Sequence, residues 1–368
     1  MKTVRITARI ITGAVFVFSG TVKAIDPLGS TYKFSDYFTA FGLDFLQPIC
    51  LPLAFLLCLA EFIAGFALLT GIKYKEGLVG ITVLMSFFTP LTFVLALTNP
   101  VSDCGCFGDA VKLTNWQTFW KNVVLMMFVL ILLLDKNKPA EYLKSLPGWL
   151  VILFVSVIFT GFTGYNLKYL PVIDFLPYKT GNNIKELMEI PEGAPAPEYK
   201  TTFIYEKDGV RKEFTIDNFP ADDTTWRFID QKSVLVKKGY EPPVHGFSIV
   251  TADNVDITDK ILNNSNFTLL MVSPKLEKAK PERLEKGFQT GRKCLEKGID
   301  FYVLTASSSD KIKEYNNGLP FCLMDEITLK TMVRSNPGYM MLRNGTITGK
   351  WSWANLPEDI ENLIKENN

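Results

Sequence analysis

The chain has 368 residues, 48% of them hydrophobic, and a formal net charge of +1. A balance so close to neutral gives no basic surface for nucleic acid, so no nucleic-acid partner is expected. A single histidine, His245, leaves little material for a histidine-based metal or acid–base centre, and six cysteines over this length do not make a disulfide framework.

Apolar runs dominate residues 1–165, whereas residues 180–368 have the composition of a soluble protein. Residues 3–22 begin with Arg5 and Arg9 and continue apolar from Ile10 to Phe18. A cleaved signal peptide starts in the same way, but no small-x-small cleavage site follows, so a retained first transmembrane helix is expected. Residues 24–48 are too polar to span. There Phe34, Tyr37, Phe38, Phe41 and Phe45 recur at helical spacing opposite Lys33, Asp36 and Asp44, the pattern of a helix lying in the membrane interface or of a loop with aromatic anchors. Three further runs, Cys50–Ile72, Gly77–Thr98 and Thr118–Leu134, approach the ~20 residues a bilayer crossing needs, and Trp149 to Gly164 gives a shorter fifth. Pro90 is predicted to kink the third span and Pro100 to help end it. Thr114 is a candidate cap for the fourth, with Trp116 and Trp120 at its outer rim.

The basic residues set an orientation. Lys2 and Arg5, then Lys73 and Lys75, then Lys136, Lys138 and Lys144 alternate with the spans so that all fall on one side. The positive-inside rule makes that side the cytoplasm. The loop between the third and fourth spans then faces outward, and five spans put the C-terminal half outside as well. This is the layout of a multi-pass protein of a bacterial inner membrane, with its N-terminus cytoplasmic and its C-terminal domain periplasmic.

Residues 165–200 contain Pro171, Pro177, Pro191, Pro195 and Pro197 and read as a stalk. Thr201–Ile204 and Lys212–Ile216 flank Glu206-Lys207-Asp208-Gly209, a hairpin signal. Strand and helix then alternate: a strand over Phe267–Val272, a helix over Pro281–Lys297 and a strand over Phe301–Leu304. Short helices follow over Asp310–Tyr315 and Leu329–Arg334. A second hairpin joins Tyr339–Leu342 to Ile347–Trp351, and a last helix runs over 357–365. The alternation predicts a small α/β domain.

The most distinctive stretch is Ser102-Asp103-Cys104-Gly105-Cys106-Phe107-Gly108-Asp109. Cysteines at i and i+2 just reach the separation a disulfide needs, and Gly105 lets the backbone bend to do it. A bond in so small a ring is strained, and strained, accessible disulfides are exchange-active. Three readings fit: two metal ligands, a structural staple of the outer loop, or a redox-active dithiol. A closed zinc site wants four ligands and none lies nearby in sequence, so no metal is expected. Asp103 and Asp109 are expected to raise the thiol pKa values and Lys112 to oppose them. Glu61 lies mid-span, where an ionisable group faces the bundle interior. It reads either as a proton carrier or polar anchor beside a membrane quinone-like acceptor, the one cofactor suggested, or as an internal ion pair with Arg9 or Lys23. Lys23 stands at the outer end of the first span, near the depth of the cysteine loop, where it tunes the thiols or snorkels to the interface. Cys50 and Cys58 read as small buried hydrophobes, with Cys50 the alternative resolving thiol.

Ser19-Gly20 with Lys23, Asp26-Pro27-Leu28-Gly29, Glu61 with Gly65, and Asp103-Cys104-Gly105-Cys106-Phe107-Gly108-Asp109 resemble the MauE/DoxX family of redox-associated membrane proteins. The resemblance implies a four-helix membrane bundle, linked to disulfide chemistry in the maturation of methylamine dehydrogenase and acting beside a thioredoxin-like partner. The soluble half resembles a thioredoxin fold. Asn336-Pro337-Gly338 stands where that fold places its cis-proline, which implies partner docking at Asn336 and Pro337. The position of the redox motif reads Ser273-Pro274-Lys275-Leu276, without cysteine; only Cys294 and Cys322 remain. The resemblance therefore implies a degenerate domain.

The expected fold is a DoxX/MauE-like four-helix membrane domain over 1–135, then a cytoplasmic loop and fifth span over 136–170. A linker and hairpin region follows over 171–240, and a thioredoxin-like domain lacking the Cys-x-x-Cys motif over 241–368. The expected function is thiol–disulfide exchange by Cys104 and Cys106 with periplasmic thiol/disulfide proteins, supported by Glu61, Lys23, Asp103, Asp109 and Gly105. The alternative is a non-catalytic scaffold whose soluble domain binds a partner, its disulfide only bracing the loop. Membrane lipid is the other expected partner.

Overall fold

The computed structural model describes residues 2–101, 103–135, 145–218, 223–237, 239–315 and 318–359. Ser102, the basic residues Lys136, Lys138 and Lys144, and most of the helix expected over 357–365 lie outside them. Two compact units divide the chain, residues 1–182 with 248–368, and residues 183–247.

The first unit opens with α1 (Lys2–Ile25) and α2 (Pro27–Ala40), then a 3-10 turn over Asp44–Ile49. Next come α3 (Cys50–Thr70), α4 (Tyr74–Thr98), α5 (Asn115–Leu133) and α6 (Ser145–Lys168). Apart from α2, each belongs to a helical segment long and apolar enough to cross a membrane. Helix α1 packs along α3, α3 along α4, α4 along α5, and α5 returns to α1; α6 lies against α1 and α3. Lipid cannot drive helices together by hydrophobic burial, so close backbone approach and buried polar contacts must do it. A Cβ on Gly20 would fall 2.7 Å from the Cys58 carbonyl, and one on Gly65 2.7 Å from the Val17 nitrogen, so α1 and α3 touch backbone to backbone. Asn122 donates to Thr92 between α5 and α4 at 3.1 Å, and Asn166 donates to the Ala24 carbonyl between α6 and α1 at 3.1 Å. Leu97, Trp120, Leu146, Phe154 and Val157 are exposed on the outside, as lipid-facing side chains are.

Three local expectations have different outcomes. Thr114 caps α5 in a full capping box with Gln117. Helix α4 runs through Pro90 to Thr98. The amphipathic stretch after α1 is helical only to Ala40; its polar residues Lys33 and Tyr37 hold the cysteine loop, and Asp44 and Phe45 belong to the 3-10 turn.

The α/β part of this unit contains β4 (Val250–Thr251), α8 (Thr258–Leu262), β5 (Thr268–Ser273), α9 (Pro281–Glu296), β6 (Asp300–Thr305), α10 (Ser309–Glu314), β7 (Phe321–Leu323), α11 (Glu326–Met332), β8 (Gly338–Arg343) and β9 (Thr346–Ser352). The sheet order is β4-β7-β6-β5-β8-β9. Strands β5, β6 and β7 are parallel, and β8 and β9 add an antiparallel hairpin. Every residue of β5 is buried, as a central strand covered on both faces requires. Leu269, Met271, Leu284, Phe288, Phe301, Tyr339 and Met341 form its core. The helix expected over Leu329–Arg334 instead spans Glu326–Met332, because Asp325 accepts from the Thr328 amide at 2.8 Å and fixes an earlier start. That frees Arg334 from helical geometry, and the Asn336–Pro337 peptide after it is cis.

The second unit carries α7 (Ile184–Met188), β1 (Glu198–Lys207), β2 (Val210–Thr215) and β3 (Arg227–Lys237). The expected hairpin β1–β2 is present, with Asp208 and Gly209 both left-handed at its tip. Strand β3 pairs with the other edge of β1, giving the order β2-β1-β3.

Candidate functional site

Cys104 and Cys106 lie in the loop between α4 and α5, their sulfurs 3.0 Å apart. A disulfide is about 2.05 Å long, so closing the pair requires an approach of about 1 Å. Gly105 between them has φ +65°, the left-handed region, and a Cβ there would lie 2.9 Å from Lys33 Cγ. The Gly105 amide donates to Asp103 Oδ1 at 3.0 Å, and the Gly108 amide donates to the Gly105 carbonyl at 3.0 Å, closing the turn.

Each part of this loop is held from outside it. Tyr37 Oη on α2 donates to the Cys104 carbonyl at 2.7 Å, and Lys33 Nζ pairs with Asp103 at 2.8 Å. On α1, Ser19 Oγ and Lys23 Nζ each stand 2.7 Å from the Cys106 carbonyl. Lys23 also pairs with Glu61 of α3 at 2.7 Å, and Ser19 Oγ lies 2.8 Å from the same carboxylate oxygen. Lys23 and Glu61 are both buried. Of the two cations proposed for Glu61, Lys23 is the partner; Arg9 instead donates to the Leu68 and Leu69 carbonyls at the far end of α3. The far end of the loop reaches the α/β part. Arg334 Nη2 bonds Asp109 at 2.7 Å while its Nε bonds Asp26 at 2.8 Å. Asp26 Oδ1 in turn accepts the Gly29 amide at 2.8 Å, capping α2.

Asp103, Asp109 and Lys112 are not among the groups that act most strongly on the two thiols. Both carboxylates are paired with cations, and Lys112 is exposed. The cations acting on Cys106 are Lys121, stacked 4.4 Å over the Phe107 ring, and Lys23. A hydrogen bond from Cys104 lowers the Cys106 thiol to about 6; Lys121 and Lys23 add to the shift, while burial and Glu61 oppose it. The same bond, together with burial, holds the Cys104 thiol well above its ordinary value. The same contact thus acts on the two thiols in opposite directions. Burial raises the Asp26 carboxyl despite the Arg334 guanidinium beside it.

The sequence-chosen residues Lys23, Glu61, Asp103, Gly105, Cys104, Cys106 and Asp109 are therefore brought together. Asn336 and Pro337 are not on the loop. Asn336 accepts from Ser273 Oγ at 2.7 Å and donates to the Lys275 carbonyl at 2.9 Å, and Pro337 accepts from Ser335. The residue that reaches the loop is Arg334, two positions earlier. Cys50 bonds within its own turn of chain, to Leu46 and Gln47, and Cys58 to the Phe55 carbonyl. Among the described residues no group of three or more His, Cys, Asp or Glu is placed to hold a metal ion. Lys121, Tyr37 and Arg334 were not singled out from the sequence for this site. A basic residue just before Asn336-Pro337 was the available signal for the last, since a buried arginine must find carboxylates.

Five apolar helices and the polar cluster inside them define a multi-pass membrane protein. Residues 1–135 match the family described as methylamine utilisation protein MauE. Residues 199–238, which hold β1 to β3, match a domain of unknown function, DUF8463. No curated protein and no solved structure matches the chain.

Proposed function

We propose that this is a membrane thiol–disulfide redox protein that works through Cys104 and Cys106. The observation that carries the reading is the pair of sulfurs 3.0 Å apart, with lysine cations acting on one of them. The Cys106 thiolate attacks a disulfide of the partner, forming a mixed disulfide and releasing one partner thiolate. Cys104 then loses its proton and attacks Cys106 Sγ, closing the Cys104–Cys106 bond and releasing the second thiolate. Two electrons pass to the partner; the reverse sequence oxidises a partner dithiol. The partners are envelope proteins on the outer side of a bacterial inner membrane, where the positive-inside rule puts the loop. The similarity of residues 1–135 to a methylamine utilisation family supports a role in electron-transfer maturation, while α6 and the α/β part set this chain apart from a four-helix member.

The α/β part is read as thioredoxin-like. Supporting this are its parallel β7-β6-β5 strands, the antiparallel β8-β9 hairpin and helix α9 between β5 and β6. Its cysteines, Cys294 and Cys322, are fully buried, so the domain serves the membrane site and does not exchange by itself.

Membranes bearing the full chain, equilibrated in glutathione buffers and trapped with a maleimide of known mass, test the reading. Interconverting oxidised and reduced forms of the pair are expected, and a mixed disulfide is expected to accumulate in Cys104→Ser, which keeps the attacking sulfur. A pair that stays in one form at every poise would overturn the proposal, and a permanently oxidised one would establish the bracing role.

A further inference from the structure

Among the described residues, Arg334 is the side chain of the α/β part that pairs with the carboxylates of the membrane site, and it is bound there more tightly than a surface contact requires. It is buried, bridges two carboxylates with separate nitrogens, and donates its remaining terminal nitrogen to the Lys330 carbonyl at 2.6 Å. Its guanidinium also lies 5.4 Å from the centre of the Tyr32 ring on α2. Asp109 is three residues past Cys106, beyond the turn closed by Gly108 and Gly105. Asp26 joins α1 to α2, the two helices that supply Lys23, Lys33 and Tyr37. Arg334 thus compensates the negative charge at one end of the loop as Lys33 does at the other. A local role in folding the α/β part would not need either aspartate.

We propose that Arg334 is a positioning residue for the thiol pair: by bridging Asp109 and Asp26 it offsets the negative charge at that end of the cysteine loop, and so makes the α/β part a working component of the membrane redox site. This rests on the redox reading above. The groups facing Cys106 directly are Cys104, Lys121, Lys23 and Glu61; Arg334 acts on it through Asp109. Those facing Arg334 are Asp26, Asp109, Tyr32 and, on its own side, Lys330 and Lys350. If Arg334 loses its charge, Asp109 is left as an uncompensated anion three residues from Cys106 and the thiolate is disfavoured. If Asp109 loses its charge, Arg334 is left balanced by Asp26 alone and the net negative charge at this end of the loop is gone, so the thiolate is favoured. A bond that only braced the loop would loosen it in both cases and move the thiol in one direction.

The test is the rate of Cys106 alkylation by iodoacetamide against pH, measured on the reduced full chain in detergent with Cys104→Ser as background. Arg334→Gln is expected to move the profile to higher pH by roughly one unit, a rate about tenfold lower on its acid limb. Asp109→Asn is expected to move it to lower pH, and Arg334→Lys to restore most of the parent profile. Should Arg334→Gln fail to accumulate, the opposite shift in Asp109→Asn still decides the matter. Shifts of the same sign, or none, would overturn the proposal. A parent pair that cannot be cycled by glutathione would instead overturn the redox reading, so the two failures are distinguishable.

Discussion

The loop between α4 and α5 and the α/β part each contain two cysteines that do nothing in common. Cys104 and Cys106 share a loop in which carbonyls, carboxylates and thiols are met by Tyr37, Ser19, Lys23, Lys33 and Arg334. Cys294 and Cys322 lie in apolar surroundings, where burial pushes their thiols up to about 12 and about 11. The difference teaches that a reactive thiol is made by its polar neighbours, and those neighbours are gathered in the part of the molecule least able to solvate them. In the membrane part a polar group must be paired, so pairing assembles the site; in the α/β part burial simply silences the sulfur.

The largest expected effect breaks this comparison outright if it fails. Replacing either Cys104 or Cys106 by Ser is expected to abolish the oxidised–reduced cycle of the full chain, while Cys294→Ser with Cys322→Ser leaves it unchanged. Gel-shift alkylation across a glutathione series reads both. Cycling that persists without Cys104 would locate the chemistry elsewhere.

Next is the Lys23–Glu61 pair, whose side chains are 6% and 7% exposed. Glu61→Gln removes one partner and leaves a buried ammonium with only neutral acceptors, Ser19 Oγ and the Cys106 carbonyl. Breaking a buried pair in this way costs about 3–5 kcal/mol, more than replacing both members. The expected order of thermal stability in detergent is therefore wild type, then Lys23→Met with Glu61→Gln, then Glu61→Gln alone. A single variant as stable as the double would show that the pair is solvated.

The pH dependence sharpens the contrast at the level of one atom. The Cys106 thiol is lowered to about 6, so its thiolate is expected to predominate at neutral pH and to be lost as pH falls through that value. Alkylation of Cys106 is expected to be level above it and to fall about tenfold per pH unit below it, whereas an ordinary thiol is still gaining rate at pH 8. A profile centred near the ordinary thiol value would remove the Cys104 hydrogen bond, and with it Lys121 and Lys23, from the account.

How much of this could be read from the chain depends on how local the signal was. The helices were legible because apolar length is a local property, and the Cys104-Gly105-Cys106 turn because two residues and a glycine contain it. Lys23 with Glu61 was half legible: an intramembrane carboxylate needs a cation, but periodicity alone left Arg9 as a rival. Arg334 was barely legible: its place just before Asn336-Pro337 was the one signal, and its bond to Asp26 joins residues 308 positions apart. Strand β3 was missed for a different reason. Every residue from Arg227 to Lys237 is exposed, so no alternation of buried and open positions marks it; only its pairing with β1 does.

The smallest expected effect tests whether the loop and the helix after it are one structure. Thr114 accepts the Gln117 amide at 3.2 Å, and Gln117 returns a bond from the Thr114 amide at 2.9 Å, so the first turn of α5 is closed just after the loop. Thr114→Ala should cost about 1 kcal/mol of stability, the ordinary value of an N-cap. Lys121 stands almost two turns into α5, and Asn115 separately ties that end to Asn99 and the Val101 carbonyl. Fraying at the cap should therefore not reach the cation, and the redox midpoint of the pair should stay where it is. A midpoint that moves with this substitution would mean that the start of α5 sets the thiols, and that the loop is not independently held by α1, α2 and Arg334.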